Sequence, residues 1–324
     1  MTVQQLLVAT VASFVVTVII GYFLIPVLRR LKFGQTIREE GPESHQQKAG
    51  TPTMGGLIFF ASIIVTTIVL AFVFDVWATE IGVLLVVFFG YGVIGFLDDI
   101  IIVVKKQNEG LTSLQKLIGQ IVVAIVAYFL LQSVASFDTT LALPFIEQPI
   151  DLGIFYILFL VFWLVGFSNA INLTDGLDGL VGGTGTFAFG AFTIIAASAG
   201  YDSVALVTTI VTGAMLGFLV YNKNPAKVFM GDTGSLALGG LIAAVSIVLK
   251  VELLLLVIGI VYVVETLSVI IQVTSFKLTG KRVFKMSPIH HHFEESGWTE
   301  RKVVTTFWAV GLLAAIVATM WEVM

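Results

Sequence analysis

The chain has 324 residues, of which 57% are hydrophobic and only 12% are charged. Soluble domains carry roughly 25% charged residues, so this composition excludes an ordinary soluble protein. There is no cysteine, which excludes disulfides and thiol chemistry, while the net charge of -4 says little about partners.

Long apolar stretches recur along the whole chain, each able to cross a hydrocarbon core of roughly 30 Å. They predict an all-α polytopic membrane protein, because a transmembrane barrel would show short segments of alternating polarity. The first stretch lacks a basic leader and a small-residue cleavage site, so we expect it to remain as a helix. We predict a single integral membrane domain, 1–324, with about ten transmembrane helices near 3–28, 54–73, 78–97, 119–136, 153–169, 180–199, 203–221, 235–249, 252–274 and 303–322.

The basic residues predict the orientation of these helices. With ten spans, sixteen of the seventeen Lys and Arg residues fall on one side, and only Lys250 falls on the other. We therefore predict that both termini lie outside the cell. The predicted cytoplasmic connections are 29–53, 98–118, 170–179, 222–234 and 275–302. The longest outer connection, Phe137 to Gly153, is predicted to form a small hairpin.

The first cytoplasmic connection contains GPESHQQKAGTPTMGG at 41–56. One interpretation is a loop that presents Lys48 and Thr53 to a polar or phosphate-bearing ligand. The other is a surface loop with ordinary turn residues, because Gly and Pro occur in loops of every kind.

Asp98 and Asp99 are predicted to end the third span. Adjacent carboxylates repel each other, and a divalent cation relieves that repulsion. Mg²⁺ prefers carboxylate oxygens together with substrate phosphates. The alternative is a polar helix end, but the C-terminus of a helix repels anions, which favours the functional interpretation.

The connection between the fifth and sixth spans reads NAINLTDGLDGL at 169–180. Asp175 and Asp178 share a face if this stretch is helical, and the glycines allow a ligand to approach the backbone closely. A capped turn between helices is the alternative. So many amides and carboxylates in one short connection favour ligand binding.

The string NKNPAKVFMGDTGS at 222–235 leads into the eighth span. Asp232 is predicted to lie near a helix N-terminus, which is a natural phosphate site. Phe229 is predicted either to stack on a base or to anchor at the membrane interface. The alternative is that Asp232 only caps the helix.

Three consecutive histidines, His290, His291 and His292, lie in PIHHHFE at 288–294. They are predicted to face phosphates as donors and acids near neutral pH. A solvated histidine tract and a zinc site are the alternatives, although consecutive positions converge poorly on one ion. Glu265, inside the ninth span, either faces the cavity or forms a structural pair.

Five strings in five connections on the same side of the membrane resemble the polyprenyl-phosphate N-acetylhexosamine-1-phosphate transferase family. They are FLDD at 96–99, NAINLTDGLDGL, PAKVFMGDTGS at 225–235, PIHHHFE and the 41–56 string. PIHHHFE and the 41–56 string are similar to the subgroup that uses a muramoyl-pentapeptide nucleotide.

The resemblance implies substrates, a cofactor and residue roles. The substrates would be UDP-N-acetylmuramoyl-pentapeptide and undecaprenyl phosphate, with Mg²⁺ required, and the protein would be a homodimer in a bacterial plasma membrane that binds no nucleic acid. Asp98, Asp99, Asp232 and His290 would line the catalytic centre, and the three aspartates would hold the metal. Substrate would contact Lys48, Thr53, Lys116, Asn172, Asp175, Gly176, Asp178, Asn222, Phe229, His291 and His292.

Two rival functions remain open from the sequence. A secondary transporter also has about ten helices and intramembrane acids, although its site usually lies near the bilayer midplane between repeats. A related enzyme that uses UDP-N-acetylglucosamine is the rival within the resembled family.

Overall fold

Helices make up most of the computed structural model, which describes residues 1–31, 50–105, 109–143 and 148–324. Two strands of two residues each, β1 (Thr140–Leu141) and β2 (Ile150–Asp151), pair in antiparallel fashion. The helices are α1 (Val3–Arg30), α2 (Gly56–Val73), α3 (Thr79–Lys105), α4 (Ser113–Leu131), α5 (Tyr156–Thr174), α6 (Leu180–Ser198), α7 (Asp202–Asn222), α8 (Asp232–Val248), α9 (Leu255–Ile258), α10 (Ile260–Thr279), α11 (Ile289–Glu294) and α12 (Glu300–Val323).

The predicted all-α polytopic membrane fold is confirmed. Within the described ranges, nine helices are long and apolar enough to cross a membrane. The tenth, α8, is shorter at 17 residues. That length spans roughly 25 Å, near the lower limit for a transmembrane helix. Every residue of α8 after Asp232 is buried, so it is the central helix of the bundle.

Glycines let the neighbouring helices approach α8 closely. A Cβ atom on Gly95 of α3 would lie 2.1 Å from the carbonyl oxygen of Asp232. A Cβ atom on Gly239 of α8 would lie 2.4 Å from the carbonyl oxygen of Phe167, in α5. Since real side chains do not approach backbone so closely, only glycine fits at these crossings. The crossing at Gly95 therefore fixes the start of α8 against α3.

A Gly95→Ala variant should unfold at a lower temperature than the wild type in detergent. Adding a methyl group at a closed contact typically costs roughly 1–3 kcal/mol. Gly82→Ala, in the same helix, is the matched control, because no atom lies within 4 Å of its added Cβ. Equal changes in Tm for the two variants would contradict the proposed crossing.

Several predicted span boundaries were wrong. The third span does not end at residue 97, because α3 continues to Lys105 and places Asp98 and Asp99 inside the helix. The fourth begins at Ser113 rather than 119, after a capping box formed by Thr112 and Gln115. The prediction assumed that Asp98 and Asp99 reach water at a helix end. In the structure protein groups satisfy their charges instead, so the helix continues past them. The ninth span is also interrupted, since α9 and α10 meet at Gly259.

The predicted hairpin is confirmed by the β1–β2 pairing, and it lies at the end of the bundle that carries Lys250. The Lys250 ammonium is 2.9 Å from the Asp138 carboxylate and also donates to the Thr140 carbonyl. Partial burial raises the pKa of Asp138, but hydrogen bonds from Thr140 and Lys250 outweigh it and lower the pKa to about 2. Nearby, the hydroxyl of Tyr156 donates to the buried Glu252 at 2.6 Å. These contacts clamp the hairpin to the helix ends.

Candidate active site

A cluster of polar residues from four helices lies at the opposite end of the bundle. The ammonium of Lys116 is 3.1 Å from the Asp98 carboxylate and 2.7 Å from the Asp232 carboxylate. The Asn172 amide donates to the other Asp232 oxygen at 2.8 Å and to the Ser235 hydroxyl at 2.9 Å. The structure therefore brings together four residues that the sequence predicted to be functional, and Asp232 is at their centre.

Asp98 is held from the α3–α4 connection as well as from Lys116. Its second carboxylate oxygen accepts the backbone N–H of Leu111 at 2.7 Å. A Cβ atom on Gly110 would lie 2.3 Å from the same oxygen. The connection thus closes over Asp98 and leaves this carboxylate buried with a cation beside it.

Asp99 anchors the first turn of α8. Its carboxylate accepts the backbone N–H groups of Asp232 and Thr233, at 3.2 and 2.9 Å, and the Thr233 hydroxyl at 2.7 Å. A negative charge is stabilised at a helix N-terminus. Gly231 has φ of 75°, and a Cβ atom there would lie 2.8 Å from Asp99 and 3.0 Å from the Thr53 hydroxyl. Asp99 therefore positions Asp232, and the predicted residue Thr53 lies beside Gly231 at the same helix start.

The turn after α5 connects this cluster to the histidine segment. Burial raises the pKa of Asp175 well above its usual value, and the nearby carboxylates of Asp232 and Asp99 act in the same direction. A Cβ atom on Gly176 would lie 2.3 Å from Nε2 of His290. His290 is fully buried, so its ring packs directly against this turn.

The other two histidines have different surroundings. Nδ1 of His291 is 2.9 Å from the Glu294 carboxylate. Nδ1 of His292 accepts the backbone N–H of Lys285 at 3.1 Å. Of the three, His290 is the one placed against Gly176, and the three rings have separate polar partners rather than one shared metal position. Substrate contacts by His291 and His292 stay predictions.

Asp178 ties three connections together. Its carboxylate accepts the backbone N–H of Ala226 at 2.9 Å and the Asn224 amide at 3.2 Å. Glu300 accepts the backbone N–H of Asp178 and the same Asn224 amide, both at 2.8 Å. Glu300 is not predicted from the sequence as a functional residue, because an acidic residue after Thr299 is typical of any helix start.

Asn222 and Phe229 flank this junction. The Asn222 side chain accepts the backbone N–H of Gly179 at 3.0 Å. The backbone of Phe229 donates to the Pro52 carbonyl at 2.8 Å and accepts the Gly55 N–H at 2.7 Å. These bonds join the 222–231 segment to the 175–180 turn on one side and to residues 52–55 on the other. Lys48 lies outside the described residues.

The predicted metal ligands fit Mg²⁺ in part. Across the ranges that the structure describes, no three His, Cys, Asp or Glu side chains are grouped closely enough to form a complete metal site. Asp98 and Asp232, however, present oxygens to one cationic group, the Lys116 ammonium. Mg²⁺ is commonly bound by one or two carboxylates together with substrate phosphates and water. Asp98 and Asp232 therefore fit Mg²⁺, whereas Asp99 is engaged mainly by the start of α8.

Comparison with known proteins supports the class that the fold and site define. The family model Glycosyl transferase family 4 matches residues 81–250, from the first turn of α3 to the end of α8, so the chain is a membrane transferase. The first signature of the phospho-N-acetylmuramoyl-pentapeptide-transferases matches residues 48–60.

The similar proteins agree on one family over nearly the full length. The phospho-N-acetylmuramoyl-pentapeptide-transferase of Bacillus mycoides (strain KBAB4) is 59% identical over 97% of this chain and 96% of its own. Those of Geobacillus sp. (strain WCH70) and Halalkalibacterium halodurans are each 58% identical over 99% of this chain and 98% of theirs. The chain belongs to the phospho-N-acetylmuramoyl-pentapeptide-transferase family.

Proposed function

We propose that the protein transfers phospho-N-acetylmuramoyl-pentapeptide from UDP-N-acetylmuramoyl-pentapeptide to undecaprenyl phosphate and releases UMP. This is a membrane step of peptidoglycan synthesis. The observation that carries the proposal is the Lys116 ammonium between Asp98 and Asp232. It is a partly buried charged cluster suited to phosphate chemistry, and it lies in the connections and helix ends that the sequence predicts to hold sixteen of the seventeen basic residues.

The position of the cluster suits the two substrates. Basic residues near helix ends mark the cytoplasmic side, so the site is proposed to face the cytoplasm of a bacterial cell. The lipid phosphate stays at the membrane surface, whereas the nucleotide sugar is soluble. A site at the cytoplasmic ends of the helices meets both. The homodimer implied by the resemblance also stays a prediction, for which mass measurement in detergent is the test.

The reaction exchanges one phosphoanhydride bond for another. An oxygen of the lipid phosphate forms a bond to the β-phosphorus of the nucleotide sugar, and the bond from that phosphorus to the bridging oxygen breaks. UMP leaves with that oxygen and its electron pair. The energies nearly balance, so the protein's task is to align the two phosphates and reduce their repulsion.

The residues divide this task. Mg²⁺ would be held by Asp232 and Asp98, and it would supply positive charge to the phosphate oxygens. Lys116 supplies a second cation, while Asn172 and Asp99 hold Asp232 in place. The junction of Asp178, Asn222 and Phe229 is proposed to bind the uridine, with the Phe229 ring stacking on the base.

Two chemical routes are compatible with these residues. In the first, the lipid phosphate attacks directly, and Asp98 accepts its remaining proton. In the second, a carboxylate attacks first and forms a covalent acyl-phosphate. We favour the direct route, because a phosphate monoester with a second pKa near ~6 is already largely ionised at neutral pH.

The deciding experiment uses the purified full chain in detergent micelles. With both substrates and Mg²⁺ present, we expect UMP release in proportion to the lipid product formed. Removing divalent cations with a chelator should stop the reaction, and restoring Mg²⁺ should recover it. UMP release without lipid product, or turnover in the chelator, would contradict the proposal.

One rival within the enzyme class uses UDP-N-acetylglucosamine. The signature match at residues 48–60 favours the muramoyl substrate. Parallel assays with the two nucleotide sugars should show turnover of UDP-N-acetylmuramoyl-pentapeptide. A higher kcat/KM for UDP-N-acetylglucosamine would favour the rival enzyme.

A further inference from the structure

We propose that Glu265 is a positioning residue for His290. Glu265 orients the imidazole and keeps a proton on Nδ1, so that Nε2 faces the reacting phosphates. This inference rests on the proposed function, in which His290 lies at the catalytic centre. It assigns a role to an acidic residue that the sequence left undecided.

The burial of Glu265 requires an explanation. Glu265 lies on α10, a membrane-spanning helix, and its side chain is completely buried. A carboxylate at such a depth is costly, and acidic residues inside membrane helices usually face a cavity or a partner. Simple packing would be served better by an apolar side chain of similar size. A specific partner is therefore expected.

His290 is that partner. Its Nδ1 lies 3.1 Å from a Glu265 oxygen, and both side chains are excluded from solvent. Among the described residues, neither Glu265 oxygen and neither His290 nitrogen has an aligned hydrogen bond to any group. The two side chains thus face each other directly, and a proton on Nδ1 would make their contact attractive.

The two nitrogens of His290 face different surroundings. Nδ1 faces Glu265, whereas Nε2 would lie 2.3 Å from a Cβ atom on Gly176. The proton on one ring nitrogen decides what the other can do. With Nδ1 occupied by Glu265, Nε2 is free to exchange a proton with a phosphate oxygen, or to donate a hydrogen bond to it, at the 175–179 turn.

A second buried carboxylate provides the matched control. Glu252 is also almost completely buried, but it accepts the Tyr156 hydroxyl and lies 3.6 Å from Lys250 at the opposite end of the bundle. Its surroundings have no connection with His290. Neutralising either residue shows the effect of removing a buried carboxylate charge. Only neutralising Glu265 also removes the group that orients His290.

The test compares Glu265→Gln, Glu265→Asp and Glu252→Gln in the UMP-release assay. Glu265→Gln keeps the size but loses the charge, so kcat should fall roughly 10- to 100-fold with KM for the nucleotide sugar changed less than about 3-fold. Glu265→Asp keeps the charge and should retain more activity than Glu265→Gln. Glu252→Gln should keep kcat within about 3-fold of the wild type.

If Glu265 only fills space, the order of activity of the two Glu265 variants should be reversed. The isosteric Glu265→Gln variant would then be the more active one, and that result would overturn the proposal. So would an equal loss of kcat in Glu252→Gln, because it would reflect general damage to the bundle.

A double variant separates this inference from the proposed function. If Glu265 acts through His290, adding Glu265→Gln to His290→Ala should lower kcat by less than about 3-fold. Multiplicative losses would overturn the proposal. If the wild type releases no UMP, the proposed function itself fails. Normal turnover by Glu265→Gln beside an impaired His290→Ala enzyme would reject the positioning role alone.

Discussion

Replacing Asp232 with asparagine should lower kcat by about 10³-fold or more, the largest effect of any single substitution proposed for this chain. A loss of that size corresponds to about 4 kcal/mol of transition-state stabilisation. Asparagine keeps the size and one acceptor oxygen of the aspartate, so the start of α8 should stay in place. The measurement is single-turnover product formation at saturating substrate.

The reason for so large an effect is the number of groups that depend on the Asp232 charge. The carboxylate receives the Lys116 ammonium on one oxygen and the Asn172 amide on the other. It is also the ligand proposed for Mg²⁺ at a helix start. Without its charge, Mg²⁺ would be held less firmly and the Lys116 ammonium would be misplaced. Both cations would then be less effective at the point where two anionic phosphates must meet.

Asp138→Asn is the matched control for charge removal. Asp138 is a partly exposed carboxylate paired with Lys250 at the opposite end of the bundle. Its loss should leave kcat within about 2-fold, since an exposed ion pair stabilises the fold by at most roughly 1 kcal/mol. An Asp232→Asn enzyme that kept more than a tenth of wild-type turnover would contradict the central role of Asp232.

The fold was predictable from the sequence because membrane-spanning helices are recognised by long apolar stretches. The orientation that the basic residues predict stays a prediction, while in the structure Lys250 lies at the end of the bundle opposite Lys116. The ends of the helices were less predictable. Asp98 and Asp99 resemble a helix end in sequence, and only the contacts with Lys116, Leu111 and Thr233 allow α3 to continue past them.

The candidate site was predictable where polar residues interrupt apolar spans. Asp232, Asn172 and Lys116 belong to separate strings, and the structure joins them directly. Glu300 and the Glu265–His290 pair were not predictable, because their partners lie far away in sequence. Pairing of that kind depends on how the helices pack, and no local pattern encodes it.

Replacing Asp98 with asparagine separates the two chemical routes. If Asp98 accepts a proton from the lipid phosphate, kcat should fall roughly 10-fold near pH ~5, because only about a tenth of the lipid phosphate has lost its second proton at that pH. The deficit should shrink as the pH rises to about 8. The sign follows from the substrate, since a phosphate monoester loses its second proton near pH ~6 and then needs no base.

The covalent route predicts a different outcome for the same variant. An amide cannot form the acyl-phosphate, so turnover would be abolished at every pH and would not recover. One Asp98 oxygen accepts the Leu111 N–H and the other faces the Lys116 ammonium. These contacts lower the basicity and the nucleophilicity of the carboxylate alike, so the pH dependence of the variant is what separates the two routes. An acyl-phosphate on Asp98 of the wild-type enzyme, detected by mass spectrometry after a rapid acid quench, would overturn the direct route.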